Sequence, residues 1–228
     1  MLSKLKILLS YFVPITLRKY TSEMSGELEI NLIEGKKVLD TKTTNYSFGS
    51  LQKILVRGLQ EIEFDERFNK ILLLGLGGGS VVYTLRKQFQ SKGTIDAVEI
   101  DKKIIEIAIE EFDIYKYGPL QIHHDDAFEF VSKTTETYDL IIVDIFIENK
   151  VPEIFTTSEF IKPLSERLVV GGQLIFNIMP EAFTDEQLER FKNCFHESDI
   201  TIREIKNVLN YNQLLLGVKK NLHLKDAG

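Results

Sequence analysis

The stretch Ile71-Leu72-Leu73-Leu74-Gly75-Leu76-Gly77-Gly78-Gly79-Ser80 decides the fold of this chain. Its four apolar residues predict a buried strand, and the glycines after them predict a sharp turn into a helix. Glycine has no Cβ, so the backbone can turn tightly there and a ligand can approach it closely. The first turn of the helix then offers free N–H groups to an electron-rich ligand. A plain turn without a ligand is the alternative, and the flanking sequence decides between the two.

Short apolar runs recur along the chain, separated by helix-length segments, and this pattern is typical of parallel strands buried on both faces. The further runs are Thr94–Ile100, Leu120–His123, Leu140–Val143 and Gln173–Ile178. The predicted helices are Ser80–Gln90, Asp101–Phe112 and Ser158–Val169, the last ending at Gly171-Gly172. Two final strand-like runs, Ile200–Ile205 and Gln213–Lys219, are too close for a crossover helix and predict a hairpin. We therefore predict an α/β Rossmann-like class I methyltransferase fold: a mostly parallel seven-stranded sheet that ends in an antiparallel hairpin.

The N-terminal region has a different pattern of apolar and polar residues. From Ile15 to about Ser47 the residues alternate, and a glycine turn at 34–37 predicts a β-hairpin. Met1–Leu17 has two lysines before an apolar run, but no small-residue cleavage site follows, and the run is too short to span a membrane. We expect it to pack on the domain or on a partner. The predicted units are residues 1–47, a helix and hairpin extension, and residues 48–228, the ligand-binding domain.

Composition limits the class of protein. The chain has 228 residues, 43% of them hydrophobic and 27% charged, which suits a globular domain. Its net charge of −6 argues against nucleic-acid binding, which depends on clustered lysine and arginine. Cys194 is the only cysteine, so the chain forms no intrachain disulfide. We expect a cytoplasmic protein that binds neither nucleic acid nor membrane.

Acidic residues follow the predicted strands where ligands bind in open α/β sheets. Glu99 ends the second strand about 20 residues after the glycine loop, the spacing of an acid that accepts hydrogen bonds from ribose hydroxyls. Asp101 shares its side of the strand but is better placed to cap the next helix. We therefore predict a nucleoside site formed by the loop Gly75, Leu76, Gly77, Gly78 and Gly79 with Glu99 and Ile100.

A second acidic pair, Asp125 and Asp126, follows the third strand. Either carboxylate is placed to accept the exocyclic amine of an adenine, with the N–H of Ala127 serving a ring nitrogen, and either could instead cap the helix Ala127–Lys133. The neighbouring pair His123-His124 points to opposite faces of a strand and has no evident third ligand, so we predict no metal site.

Asp144 ends the fourth strand at the same edge of the sheet. The loop Ile145–Thr157 follows it with several apolar residues and could close over the site to exclude water. A helix cap or a turn is the structural alternative for Asp144.

From Val38 to about Met179 the chain resembles the catalytic core of spermidine and spermine synthases. The matching pieces, in order, are Val38-Leu39-Asp40, Gly75–Ser80, Val98-Glu99-Ile100-Asp101, Asp125–Phe130, Tyr138–Asp144, Val151–Phe160 and Gly171-Gly172. The resemblance implies that Glu99 holds ribose, that Asp126 rather than Asp125 meets adenine, and that Asp144 is the catalytic acid. By position alone, it also implies a homodimer formed through the N-terminal part.

The chain departs from that family at several positions. The resemblance places Gly78 where aminopropyl transferases carry an aspartate that grips the amine of decarboxylated S-adenosylmethionine. Ile147 replaces a second aspartate, Phe48 replaces a tyrosine, and Thr43 or Thr44 stands where a glutamine contacts the polyamine. Without these groups a buried diamine would lack partners, so putrescine is not the expected acceptor.

We therefore predict a transferase that uses S-adenosylmethionine, releases S-adenosylhomocysteine, and methylates a small amine or hydroxyl acceptor. The alternative is a polyamine aminopropyltransferase that uses decarboxylated S-adenosylmethionine. A third hypothesis is a nucleoside-binding protein without catalytic activity.

Overall fold

A computed structural model describes residues 4–41, 45–47, 50–147, 150–208 and 212–221. The strands are β1 (Ile15–Ser22), β2 (Gly26–Ile33), β3 (Lys36–Thr41), β4 (Asn45–Ser47), β5 (Lys70–Leu74), β6 (Thr94–Glu99), β7 (Leu120–His124), β8 (Tyr138–Val143), β9 (Leu168–Ile178), β10 (Ile200–Val208) and β11 (Asn212–Lys219). The α-helices are α1 (Lys4–Leu9), α2 (Ser50–Glu61), α3 (Ser80–Lys87), α4 (Lys102–Glu110), α5 (Ala127–Lys133), α6 (Ser158–Glu166) and α7 (Asp185–Glu197). Short 3₁₀ turns lie at Ile114–Tyr117, Glu153–Thr156 and Pro180–Ala182.

The main sheet has seven strands in the order β10-β11-β9-β8-β5-β6-β7. Strands β5 to β9 pair in parallel, whereas β11 is antiparallel to both β9 and β10. The predicted class I methyltransferase fold is therefore confirmed, including the terminal hairpin. Burial explains the apolar runs: Ile71 and Leu73 pack in one core cluster, and Leu72 and Leu74 pack in another. Because successive residues of a strand point to opposite faces, a strand covered on both faces has to be apolar throughout.

The N-terminal extension forms a second, four-stranded antiparallel sheet in the order β1-β2-β3-β4. Its apolar face packs on α4: Leu28, Ile30 and Leu39 share a cluster with Ile104 and Ile107. Buried apolar contact thus joins the extension to the helix that follows the second strand of the main sheet. The division into units 1–47 and 48–228 stays a prediction.

Hydrogen bonds also tie the turn between β1 and β2 to the main sheet. Asp101 accepts a hydrogen bond through Oδ2 from Ser22 Oγ (2.5 Å) and from Ser25 Oγ (2.6 Å). Its Oδ1 accepts from the N–H of Lys103 (2.8 Å), so Asp101 caps α4 as predicted. Ser22 Oγ in turn accepts from the N–H groups of Met24 and Ser25. One buried carboxylate therefore holds both the helix start and the turn.

Replacement of Ser22 with alanine should destabilise the fold. Ser22 and Asp101 are 6% and 3% exposed, and the substitution removes a donor to a buried carboxylate and the acceptor of two N–H groups. We expect a loss of about 1–3 kcal/mol in the free energy of unfolding, measured by urea denaturation. Ser132→Ala is the control, because its hydroxyl bonds to a helix carbonyl at an exposed position. Equal stabilities of the two variants would contradict this role for Ser22.

Some predicted element bounds were wrong. The helix predicted at Ser158–Val169 ends at Glu166, and Gly171 and Gly172 lie inside β9 rather than forming the helix exit. Gly171 has a φ of +77° there, a backbone conformation that favours glycine, so this residue allows a local irregularity in the strand. The helix after the glycine loop is also shorter than predicted and ends at Lys87. Across the described ranges of the chain, no helix is both long and apolar enough to cross a membrane.

Candidate active site

A cavity of about 760 Å³ lies at the carboxyl ends of the parallel strands. Most of the predicted site residues line it: Gly75, Leu76, Gly77, Glu99, Ile100, Asp126, Ala127 and Asp144. Gly78 and Gly79 are not among its lining residues. Gly79 faces the 3₁₀ turn instead, where an added Cβ would lie 2.1 Å from Ile114 Cδ1. The part of the loop next to the cavity is therefore Gly75–Gly77, and the binding roles of these residues stay predictions.

Gly75 brings the loop against the end of β8. Its φ is +93°, and a Cβ at this position would lie 2.3 Å from the backbone oxygen of Asp144. The N–H of Asp144 donates to Leu74 O (2.9 Å), which continues the parallel pairing of the two strands. The close approach that only glycine allows thus places Asp144 beside the loop.

Glu99 connects the loop to the end of β6. Its Oε2 accepts a hydrogen bond from the N–H of Gly77 (3.1 Å), and its Oε1 accepts from the N–H of Asp101 (3.0 Å). The residue is 8% exposed, and this burial raises the pKa of its carboxyl above the ordinary value, while the two backbone hydrogen bonds act in the opposite direction. The backbone N–H of Ile100 also acts on this carboxylate. Its two oxygens have four lone pairs together, so at least one remains for a ligand hydroxyl.

Asp126 is the N-cap of α5. Its Oδ1 accepts from the N–H groups of Phe128 (2.8 Å) and Glu129 (3.1 Å), so the capping alternative holds for this residue and leaves Oδ2 for a ligand. Asp125 Oδ1 accepts from the N–H of Asp126 (2.9 Å). Both carboxylates line the cavity, and the choice of Asp126 for adenine stays a prediction.

Two buried amide side chains, which were not predicted from the sequence, position Asp144: one donates a hydrogen bond to it, and the second donates to the first. Asn177 Nδ2 donates to Asp144 Oδ1 (2.9 Å), and Asn212 Nδ2 donates to Asn177 Oδ1 (3.0 Å). Asn177 and Asn212 are 1% and 5% exposed, on β9 and β11. These two hydrogen bonds fix the position of Asp144 Oδ1, and Asp144 Oδ2 takes no part in them. Burial raises the pKa of the Asp144 carboxyl, whereas the hydrogen bond from Asn177 lowers it.

The fall of activity at low pH should depend on the pKa of the Asp144 carboxyl, which burial raises and the hydrogen bond from Asn177 lowers. Because burial raises the pKa of Asp144, we expect activity that needs its carboxylate to fall, on acidification, at a pH above the ordinary aspartate pKa of about 4. Asn177→Leu removes the hydrogen bond that lowers the pKa, so this fall should move to higher pH. The measurement is kcat/KM against pH, with Asn31→Leu, an amide on β2 bonded to Asp40, as a control. A fall that does not move in Asn177→Leu would contradict the role of this amide.

The remaining walls come from the loop after Asp144 and from the N-terminal extension. Most of the apolar residues of the predicted loop line the cavity, with one residue directly after β9: Ile145, Phe146, Ile147, Pro152, Ile154, Phe155 and Met179. Val151 is buried but is not among the lining residues. The extension contributes residues that were not predicted: Met24, Ser25, Gly26, Glu27 and Thr41. No local motif identifies them, because only the packing of the extension on α4 brings them to the cavity. Phe48, Thr43 and Thr44, compared above with polyamine-contacting positions, lie outside the described residues.

All the ionisable side chains among the described residues that line the cavity are acidic. Its acidic lining residues are Glu27, Glu99, Asp101, Asp125, Asp126 and Asp144, and no lysine, arginine or histidine lines it among the described residues. A low-dielectric cleft lined by one sign of charge attracts ligands of the opposite sign. Over the same residues, no cluster of three or more histidine, cysteine, aspartate or glutamate side chains is arranged to hold a metal. The arrangement suits a cationic organic ligand.

The sheet order and the terminal hairpin define an α/β protein of the class I methyltransferase fold. Residues 62–193 match the family model of the spermine/spermidine synthase domain, which is more than half of the chain. The chain belongs to the spermine/spermidine synthase family.

Individual relatives agree with this assignment. A "Probable polyamine aminopropyl transferase" from Bifidobacterium longum is 30% identical over 166 residues, which cover 67% of this chain and 36% of that protein. The bovine "eEF1A lysine and N-terminal methyltransferase" is 28% identical over 120 residues, 48% of this chain and 17% of that protein. The chain thus spans well under half the length of either relative. A solved structure of a probable spermidine synthase from Corynebacterium glutamicum has the same fold, with a TM-score of 0.68, 19% identity and coverage of 93% of this chain and 84% of that one.

Proposed function

We propose that this chain transfers an aminopropyl group from decarboxylated S-adenosylmethionine to an amine. The observation that carries the proposal is the acidic lining of the cavity, without a cationic side chain among its described lining residues. The carboxylate of ordinary S-adenosylmethionine would enter this negative field without a paired cation, whereas the decarboxylated donor and an amine acceptor are both attracted by it. The name of the Bifidobacterium relative supports the same activity. This proposal reverses the preference for methyl transfer drawn from the sequence alone.

The residues at the cavity suit such a donor. We assign the ribose hydroxyls to the carboxylate of Glu99, the adenine amine to Asp126, and a ring nitrogen to the N–H of Ala127. Gly75 and Gly77 present backbone without side-chain bulk to the sulfonium region. When bound, the donor supplies a carbon activated by sulfonium: the acceptor nitrogen bonds to that carbon, the carbon–sulfur bond breaks, and its electron pair stays on sulfur.

Asp144 acts on the acceptor. Its raised pKa makes the carboxylate a better proton acceptor than an exposed aspartate. Asn177 holds one of its oxygens, so the other is oriented toward the acceptor nitrogen and takes its proton. The apolar loop side chains that line the cavity, among them Phe146 and Phe155, limit the access of water to this site.

Methyl transfer from S-adenosylmethionine is the second candidate. It is favoured by Gly78, which lacks the carboxylate that would repel the carboxylate of this donor. The name of the bovine relative supports it as well.

A direct assay separates the candidates. The purified chain is incubated with each donor and a panel of amines, and 5′-methylthioadenosine and S-adenosylhomocysteine are measured by mass spectrometry. We expect 5′-methylthioadenosine from the decarboxylated donor, and its loss in Asp144→Asn. Formation of S-adenosylhomocysteine alone would establish methyl transfer instead. Tight binding of both donors without any product would indicate a binding protein.

A further inference from the structure

The segment before β1 exposes a row of apolar side chains. They follow one another at the spacing i, i+3, i+4 and i+7, which puts them on one side of α1 and of the turn that continues it. The four residues and their exposed fractions are Leu5 (64%), Leu8 (61%), Leu9 (45%) and Phe12 (80%). The N–H of Phe12 donates to the backbone oxygen of Leu9 (3.0 Å), so the chain is still coiled at Phe12. We call these four side chains the apolar stripe.

The other side of this segment is fixed to the sheet of the extension. Ser10 is 2% exposed, and its Oγ accepts a hydrogen bond from the N–H of Gly35 (2.9 Å). The backbone oxygen of Ser10 accepts from the N–H of Glu34 (2.9 Å). Ile7 lies against the same turn, because a Cβ added at Gly35 would be 3.5 Å from Ile7 Cγ2. These contacts hold the segment on the turn between β2 and β3 and leave the apolar stripe facing outward.

Positive charge borders the apolar stripe. Successive residues of an α-helix are about 100° apart around its axis, so Lys4 and Lys6 lie on either side of Leu5. The first 22 residues contain four lysine and arginine residues and no acid, although the whole chain has a net charge of −6. Two of the four lie on β1 and pair with glutamates. Lys4 and Lys6 are the two that border the stripe, and lysines in this position can reach lipid headgroups while their methylene stems stay on apolar surface.

We propose that this segment binds the surface of an anionic lipid bilayer. The apolar stripe enters the boundary between headgroups and acyl chains, and the two lysines meet the anionic headgroups. A second copy of the chain fits the stripe less well. Four side chains by themselves cover much less than the roughly 800 Å² that each partner buries in a stable protein interface, and lysine is depleted in such interfaces.

This inference is independent of the proposed function. It reverses the expectation, drawn from the sequence, that the protein binds no membrane: the segment is too short to cross a bilayer, but it is suited to lie on one. The end of β2 meets α1, whereas the start of β2 lies at the cavity, which Gly26 and Glu27 line. The eight residues of β2 separate the two places by about 25 Å. Variants of the stripe should therefore bind 5′-methylthioadenosine as the original chain does.

Sedimentation with lipid vesicles tests the inference. The partition coefficient of the whole chain should be at least about tenfold higher for vesicles of equal parts phosphatidylcholine and phosphatidylglycerol than for phosphatidylcholine alone, because two lysines border the stripe. Added salt should weaken the binding to anionic vesicles, since it screens exposed charges. The double variant Lys4→Gln, Lys6→Gln should lose the preference for anionic vesicles. Equal sedimentation of the original chain with both compositions, or none with either, would overturn the inference.

A substitution in the stripe has a matched control elsewhere on the surface. Phe12→Glu should lower the partition coefficient for anionic vesicles by at least about tenfold, because it removes an inserted ring and adds a charge of the same sign as the lipid. Tyr115→Glu is the control: Tyr115 is also an exposed aromatic residue (52%), but it lies on a 3₁₀ turn outside the extension. Both side chains are exposed, so neither variant should lose its fold. An equal loss of binding in the two variants would contradict the assignment.

A single fluorophore gives a second readout. The chain contains no tryptophan, so Phe12→Trp introduces the only one. Its emission should move to shorter wavelength when anionic vesicles are added, because the ring leaves water for the apolar boundary of the bilayer. Tyr115→Trp should show no shift. An unshifted emission from Phe12→Trp would overturn the inference.

The oligomeric state distinguishes a bilayer from a second copy of the chain. Light scattering on the chain and on Phe12→Glu should give the same mass, because the stripe is not expected to join two copies. A dimer that Phe12→Glu dissociates would show that a second copy covers the stripe, and the inference would then be wrong.

Discussion

Glu99→Gln should weaken the binding of 5′-methylthioadenosine by about 100-fold. The substitution keeps the shape of the side chain but removes the charge that strengthens its hydrogen bonds to ribose hydroxyls, each worth about 1.5–3 kcal/mol. It also turns an amide N–H₂ group toward the N–H of Gly77 or Asp101, since the glutamate accepts from both. The dissociation constant is measured by calorimetry.

Glutamine is a better test here than alanine. Alanine at position 99 would leave two backbone N–H groups without their acceptor, so it would disturb the local fold as well as the binding of ribose. Glu106→Gln serves as the control, because Glu106 is half-buried on α4, pairs with Lys103 and does not line the cavity. If both variants bound the nucleoside as tightly as the original chain, Glu99 would have no part in ribose binding.

Asp144→Asn should lower kcat by about 10²–10⁴-fold, the usual contribution of a positioned acid or base. Asparagine retains an oxygen that can accept the hydrogen bond from Asn177. It cannot take a proton from the attacking nitrogen. Affinity for 5′-methylthioadenosine should change by less than about threefold, because the donor contacts lie on other strands.

The control for this second variant lies in the same cavity. Asp125→Asn also removes one lining carboxylate, but on the donor side, so it should alter binding more than kcat. Single-turnover rates with saturating donor separate the two effects. Full activity in Asp144→Asn would remove this residue from the mechanism.

Local sequence was sufficient for the strands of the main sheet. A strand segment buried on both faces must be apolar throughout, and residues 71–74 of β5 and 140–143 of β8 follow this rule. The N-cap of α4 was equally readable, because Asp101 sits directly before an apolar helical pattern and its carboxylate reaches a nearby backbone N–H. Local rules failed at Gly171-Gly172, where glycine is compatible with both a helix exit and an irregular strand.

The sequence by itself determined the fold and the acids at the sheet edge, since strand periodicity and the position of a residue after a strand are properties of neighbouring residues. Only the tertiary structure decided what surrounds those acids. Asn177 and Asn212 meet behind Asp144 because β9 and β11 are adjacent in the sheet, and Ser25 and Glu27 reach the cavity because the extension packs on α4. These contacts join residues far apart in the chain, and their partners are set by packing in three dimensions, which leaves no fixed spacing in the sequence.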